Sequence, residues 1–285
     1  MNTGKAKAQL ICAMVLFGTI GIFVRGIPLP SGTVAMVRGL VGAAFLLLWS
    51  GSRGERISLG SLRGRLGPLI FSGAALGFNW LLLFEAFRYT TVANATLCYY
   101  LAPVLVVLTS PILLGEGLTG RKTGCVIIAF TGMIFVSGAA EHGLPRAGEA
   151  RGVLLALGAA VLYAALMIAN KRIGGISPFD RTAVQLAVAG VVMLPYCLLT
   201  GLGSGTFTPM AGLLLLVVGV VHTGVTYLLY FGAMASLSGQ SVSILSYIDP
   251  ATAVFCSVLI LREPFSLYSL AGAVLVLGAA LVSEL

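Results

Sequence analysis

Residues 84–119, FEAFRYTTVANATLCYYLAPVLVVLTSPILLGEGLT, return 147 positions later as residues 231–266, FGAMASLSGQSVSILSYIDPATAVFCSVLILREPFS. No gap is needed. Phe84 falls on Phe231, Ala86 on Ala233, Tyr100 on Tyr247, Pro103 on Pro250, Ser110 on Ser257, Leu114 on Leu261 and Glu116 on Glu263. Outside this block the likeness is more diffuse: residues 11–17 resemble 157–163, and 35–38 align with 182–185. A repeat of this length means that two similar units are fused in one chain.

Both units are lipid-soluble. Hydrophobic residues make up 58% of the 285 and charged residues 9%, with a mean hydropathy of +1.04; soluble domains run at roughly 45–50% and 25%. The net charge of +8 is scattered through short loops between apolar runs, which excludes a nucleic-acid face and suits loops facing an anionic leaflet. Lys5 and Lys7 before an apolar stretch imitate a signal peptide, but no small-residue cleavage site with a soluble domain follows, so a retained first helix is expected. The cysteines Cys12, Cys98, Cys125, Cys197 and Cys256 all lie in apolar runs without CxxC spacing and read as buried thiols.

A bilayer crossing takes about 20 mostly apolar residues. Ten such runs are expected: 7–24, 33–50, 66–87, 92–114, 122–138, 152–170, 181–199, 211–231, 241–261 and 267–282. The predicted fold is all-α and polytopic, with residues 1–139 as a first five-helix repeat, 140–151 as a linker and 152–285 as the second repeat. Placing the N-terminus inside puts eleven basic residues on cytoplasmic loops and five outside, so both termini are expected in the cytoplasm. Five crossings per repeat is odd. The second half is therefore expected to be inverted, the arrangement used for alternating access.

The motifs FEAFRYT (84–90), YYLAP (99–103) and LGE (114–116) followed by Leu118-Thr119, with SYIDP (246–250) and LREP (261–264), are similar to those of the drug/metabolite transporter superfamily. The resemblance is to its EamA-type ten-helix branch and covers essentially the whole chain. It implies a bacterial cytoplasmic-membrane exporter of amino acids, amines, drugs or other metabolites, with a central cavity lined by spans 1, 3, 4, 6, 8 and 9. One departure is Arg262-Glu263-Pro264, which lacks the glycine of Gly115-Glu116.

A solute is rarely two-fold symmetric, so polar residues present in one repeat alone are the informative ones. Ionisable groups inside a span are costly and face a partner or a cavity. Glu85 (opposite Gly232) and Arg38 (opposite Gln185) lie at matched depth near the outer surface and are expected to approach each other, Glu85 as a substrate ligand and Arg38 in coupling or gating. Asp249, opposite Ala102, is the deepest acid and precedes Pro250. It can hold a cation, carry a proton, or bond a neighbouring helix as a neutral acid. Pro103 and Pro250 should kink their helices and free the carbonyls of Tyr99 and Ser246. His222, opposite Ala75, is a proton-relay candidate or a neutral hydrogen-bonding residue.

Trp80, Tyr99, Tyr100, Tyr163, Tyr227 and Tyr247 offer ring faces to an ammonium group, and Asn79, Asn94, Gln185 and Gln240 are polar candidates. Glu116 and Glu263 oppose the helix dipole at the ends of spans 4 and 9, so basic neighbours (Arg121 or Lys122, and Arg262) are the expected partners. Gly18/Gly21 and Gly73/Gly77 are small-residue pairs suited to close helix packing.

No nucleophile triad, phosphate loop or metal-ligand cluster is visible, and the histidines are only His142 and His222. No cofactor or catalytic residue is expected. The sequence reads as a secondary transporter of a small organic solute, amine-bearing or zwitterionic, with export favoured. The partners are the solute and the lipid bilayer, with protons if flux is coupled, and the protein acts as a monomer or homodimer. Two alternatives stay open: an uncoupled uniporter, and a membrane-embedded enzyme acting on a lipid.

Overall fold

The computed structural model describes residues 3–52, 62, 64–90, 92–136, 149–201, 205–260 and 267–283, and every regular element among them is helical. In chain order these are α1 (Thr3–Val24), α2 (Ser31–Ser52), α3 (Leu66–Ala86), α4 (Val92–Tyr99), α5 (Ala102–Leu113), α6 (Gly120–Val136), α7 (Ala150–Arg172) and α8 (Pro178–Thr200). Then come α9 (Pro209–Val217), a π-helical stretch (Val218–Val225), α10 (Thr226–Met234), α11 (Gly239–Leu245), α12 (Ile248–Leu259) and α13 (Leu267–Ser283). Seven helical runs among the described residues are long and apolar enough to cross a bilayer, and a shorter apolar helix covers Leu270–Ser283. The chain is a polytopic membrane protein. Most of the expected linker, the 53–61 loop and the LREP motif at 261–264 lie outside the described residues.

Local chemistry sets where helices begin and end. Ser177, Thr208 and Ser238 each accept a hydrogen bond from the backbone N–H three residues on, at 3.0, 3.1 and 3.0 Å. Pro178 and Pro209 follow the first two caps at the position where a missing N–H costs nothing. Gly115 (φ +68°) and Gly201 (φ +98°) take left-handed backbone just past the ends of α5 and α8.

Packing follows the repeat. The pairs α3–α7 and α1–α10 are equivalent under exchange of halves, as are α5–α7 and α1–α12, and each pair is in contact; α2–α8 and α6–α13 each pair a helix with its own counterpart. A residue can touch its own counterpart only near the symmetry axis. Two such contacts mark it: the Tyr247 hydroxyl donates to the Tyr100 carbonyl at 2.9 Å, and a Cβ on Gly39 would lie 3.3 Å from the Leu186 oxygen.

Not every contact has its counterpart. α5 packs against α11, whereas α4 and α12 have no comparable packing. The bundle is therefore closed at one end and parted at the other.

The small-residue pairs separate. Gly73 and Gly77 both lie against α8, where a Cβ on Gly77 would come within 2.8 Å of the Ala189 carbonyl oxygen. Gly18 presses on α12, its added Cβ falling 2.6 Å from the Asp249 carbonyl oxygen, while Gly21 faces open space. Gly77→Ala should lower stability by roughly 1–3 kcal/mol, because backbone cannot yield as a side chain can. Gly21→Ala should be neutral, and thermal unfolding in detergent compares the two.

Candidate functional site: a cleft at the parted end

Where α4 and α12 fail to meet, a cleft of about 610 Å³ opens between α1, α2, α3, α4 and α12. Apolar side chains such as Phe17, Phe84 and Phe87 form most of its wall. Its charged groups are Arg25, Arg38 and Asp249, the last being the one carboxylate among the described lining residues.

Arg38 sits with its Cζ 4.2 Å from the centroid of the Trp80 ring, and its buried Nε has no hydrogen-bond partner among the described residues. A guanidinium stacked on indole keeps its charge in low dielectric while its edge stays available to an anion. Trp80 in turn packs edge-on to Tyr227 at 6.1 Å, and Tyr227 on Phe17 at 4.9 Å.

Asp249 lies in the first turn of α12 and accepts a hydrogen bond from the Tyr100 hydroxyl at 3.1 Å. It also borders a second, much smaller void of about 20 Å³ with Tyr99, Tyr100, Pro103, Tyr163 and Ser246. Tyr99 stacks near both Tyr100 and Tyr163, at 5.6 and 5.5 Å, and the Tyr163 hydroxyl donates to that of Tyr230 at 3.0 Å. Six of the expected residues thus share one aromatic floor: Asp249, Tyr99, Tyr100, Tyr163, Tyr247 and Pro103.

The expected Glu85–Arg38 pair does not form. Glu85 bonds Arg88 at 3.0 Å and accepts a short hydrogen bond from the Tyr196 hydroxyl, whereas Arg38 is committed to Trp80. Trp80 and Glu85 are five residues apart on α3, about 140° around a helix, so equal depth did not imply a shared face. Tyr196 carried no signal beyond its place after Pro195.

The prolines break their helices outright. α4 ends at Tyr99 and α5 restarts at Ala102; α11 ends at Leu245 and α12 restarts at Ile248, with each proline in the first turn of the second segment. The Ser246 carbonyl, expected to be free, accepts the Asp249 N–H at 3.3 Å.

His222 is buried in the π-helical stretch, with Nε2 3.1 Å from Thr19 Oγ1 and its ring 4.6 Å from that of Phe23. The stretch itself was not foreseen. Thr223 and Thr226 each donate to the carbonyl five residues back, at 2.9 and 2.8 Å, and Gly219 and Gly224 let α2 approach at Gly42. Asn79 is pinned to α7 through the Ala159 carbonyl at 2.7 Å, and Gln185 bonds Asn170 at 2.9 Å; both are held in packing contacts away from the cleft lining. The Asn94 side chain lies outside the described residues.

At the closed end, Glu116 meets the start of α11. Its carboxylate accepts the N–H groups of Gly239 and Gln240 at 2.7 and 3.2 Å, in place of the expected Arg121 or Lys122. Gln240 reaches back to Ser110 Oγ at 2.8 Å, and Lys171 donates to the Met234 carbonyl at 3.3 Å. The Glu116 and Gln240 contacts latch the two repeats, while the Lys171 bond is made within the second.

Both repeats match the EamA-like transporter family, over residues 5–138 and 150–284. The chain belongs to the EamA-like transporter family. It is 32% identical over 275 residues to "Uncharacterized transporter YxxF" of Bacillus subtilis (strain 168), covering 95% of this chain and 86% of that one. It is 25% identical over 303 residues to "Uncharacterized inner membrane transporter YicL" of Salmonella typhimurium, covering 100% and 96%. A solved crystal structure matches the fold with a TM-score of 0.87 at 20% identity, over 98% of this chain and 97% of that one. Family and relatives make this a membrane transporter.

The geometry separates Glu85 from Arg38 energetically. A double-mutant cycle on Glu85→Gln and Tyr196→Phe should give a coupling of about 0.5–3 kcal/mol. The same cycle on Glu85→Gln and Arg38→Gln should give close to none. Unfolding of the four proteins of each cycle measures this, and strong Glu85–Arg38 coupling would contradict the assignment.

Proposed function

We propose that the protein is a secondary transporter that moves a small zwitterionic solute, of the amino-acid type, across the bacterial cytoplasmic membrane by alternating access. The observation that carries this reading is the cleft that presents the Arg38 guanidinium on Trp80 and the Asp249 carboxylate on Tyr100 to one enclosed space. Arg38 suits a carboxylate. Asp249 and the tyrosine faces suit an ammonium group. A small organic amine would use the second half of the site alone.

Ten crossings in two inverted halves, with both termini in the cytoplasm, make the cleft an outward-facing one. The supporting facts are the loop-charge bias and the presence of α5–α11 packing without its α4–α12 counterpart. In that orientation the Glu116 latch closes the cytoplasmic side. Export runs by closing α4 on α12, then breaking the latch and admitting the solute from inside, then re-forming the latch and parting α4 from α12 to release it outside. Asp249 is the residue at which a proton or the ammonium group compensates the other, which would couple the two fluxes. Arg38 and His222, close to the cleft, serve in coupling and gating.

Two outcomes are expected in proteoliposomes screened with amino acids and amines, with and without a pH gradient. Arg38→Gln should lower flux of zwitterions by at least tenfold while sparing amines, since one charge-assisted pair is worth roughly 1.5–3 kcal/mol. Asp249→Asn should abolish gradient-driven flux in a protein that still inserts and folds. Flux of no organic solute by the wild type would overturn the reading.

Glu116→Gln should weaken the latch by about tenfold, consistent with a charge-assisted hydrogen bond. The measurable result is a larger inward-open population, seen as faster thiol labelling of a cysteine placed at Ser246.

A further inference from the structure

A groove of about 740 Å³, larger than the cleft, lies on the flank of the bundle between α3, α5 and α7. Its walls are Phe71 from α3, Leu105 from α5 and Val161, Ala165 and Ile168 from α7, and it contains no Asp249, Arg38 or other group of the solute site. Phe71 and Val161 are more than half exposed, so the groove opens sideways, where lipid chains lie.

All its charge is at one end. Arg65, just before α3, and Arg172, at the end of α7, border it there. Arg172 donates from both Nε and Nη2 to the Leu113 carbonyl, which fixes its guanidinium at the end of α5 and leaves Nη1 without a hydrogen bond to the described residues. Arg65 lies over the turn that follows α7: a Cβ on Gly175, which has φ +69°, would come 2.6 Å from Arg65 Nη2. Glycine there gives the backbone its left-handed turn and also clears room for the guanidinium. The two arginines are thus brought together by separate elements.

The dimensions fit a lipid. Val161 and Arg172 are eleven residues apart on α7, about 16 Å at the helical rise, and half of a bilayer's hydrocarbon is about 15 Å. The groove runs one leaflet deep from a doubly basic mouth. Basic pockets between membrane helices take anionic headgroups. We propose that the groove is a binding site for an anionic phospholipid of the phosphatidylglycerol type, with one acyl chain against Phe71, Leu105 and Ala165 and its phosphate held by Arg65 and Arg172. Under the orientation given above, this lipid belongs to the cytoplasmic leaflet. Occupancy by a fixed chain would brace α3, α5 and α7 against one another beside the latch.

Native mass spectrometry of the delipidated full chain, titrated with dioleoyl phosphatidylglycerol or dioleoyl phosphatidylcholine, tests this. The wild type should retain phosphatidylglycerol about 25-fold more strongly, with each arginine contributing about fivefold. Arg65→Gln leaves the Leu113 contact intact and should still lose about fivefold; adding Arg172→Gln should bring the two lipids to parity. Ala165→Phe fills the groove and should weaken retention of both lipids. Equal retention by the wild type, an undiminished preference in Arg65→Gln, or displacement of the lipid by inorganic phosphate at equal concentration would each overturn the proposal. Transport is not measured, so this result stands or falls separately from that of the solute site.

Discussion

In hydrocarbon there is no water to satisfy a backbone N–H or C=O, so each must find its partner within the protein. This constraint accounts for the helices, and more usefully for where they stop being regular. The break between α4 and α5 turns its Tyr100 carbonyl to the Tyr247 hydroxyl, and the break between α11 and α12 turns the Ser246 carbonyl to the Asp249 N–H. In the π-helical stretch two threonine hydroxyls take carbonyls five residues back. Helix ends at the closed side are served by side chains: Glu116 takes the first N–H groups of α11, and Arg172 takes the Leu113 carbonyl.

Those same bonds make the two ends of the bundle unequal. Repetition alone would pack α4 on α12 as α5 packs on α11, yet only the second pair meets. The meeting pair is held by a carboxylate on backbone N–H groups, a charge-assisted contact worth roughly twice a neutral one. The parted pair leaves a cleft whose wall is mainly apolar and whose charges are few. A fold with two equivalent ends, one of them latched, has the symmetry for a second arrangement in which the other end meets, and the proposed cycle uses that exchange.

The architecture was legible because its signals are periodic. A 147-residue shift and runs of about 20 apolar residues survive without any knowledge of packing. Individual positions could be singled out too, since a charge or a proline in a span has few innocent explanations; Arg38, Asp249, Pro103, Tyr99, Tyr100 and Tyr163 line the cleft or the small void beside it. Partners were not. Sequence position gives depth along a helix, but the direction a side chain faces depends on the crossing of its neighbours, and Glu85 went to Tyr196 for that reason. Glu116 was matched to basic side chains when its partners are backbone N–H groups, which no residue type advertises. The π-helical stretch had a faint signature in Gly219 and Gly224, five residues apart about His222, that apolar periodicity hides.

Close packing also says which helices travel together in the proposed cycle. Gly18 presses on the backbone of Asp249 and on Thr252, so α1 and α12 cannot slide apart without losing a contact made at backbone distance. Thr19, the next residue, bonds His222, which ties the same helix to the π-helical stretch. The helix α1 therefore carries the cleft's carboxylate on one side and its buried histidine on the other. On the far side, α7 packs against both α3 and α4 and joins the Trp80 helix to the one that bears Thr96. Closing the cleft then means moving α1 and α12 as one body toward α3 and α4. Such a movement brings Asp249 toward Arg38 across the space a zwitterion would fill. In the proposed cycle a solute with both charges would stabilise that closed arrangement, because each of its ends would meet an opposite charge, a contribution an empty cleft lacks.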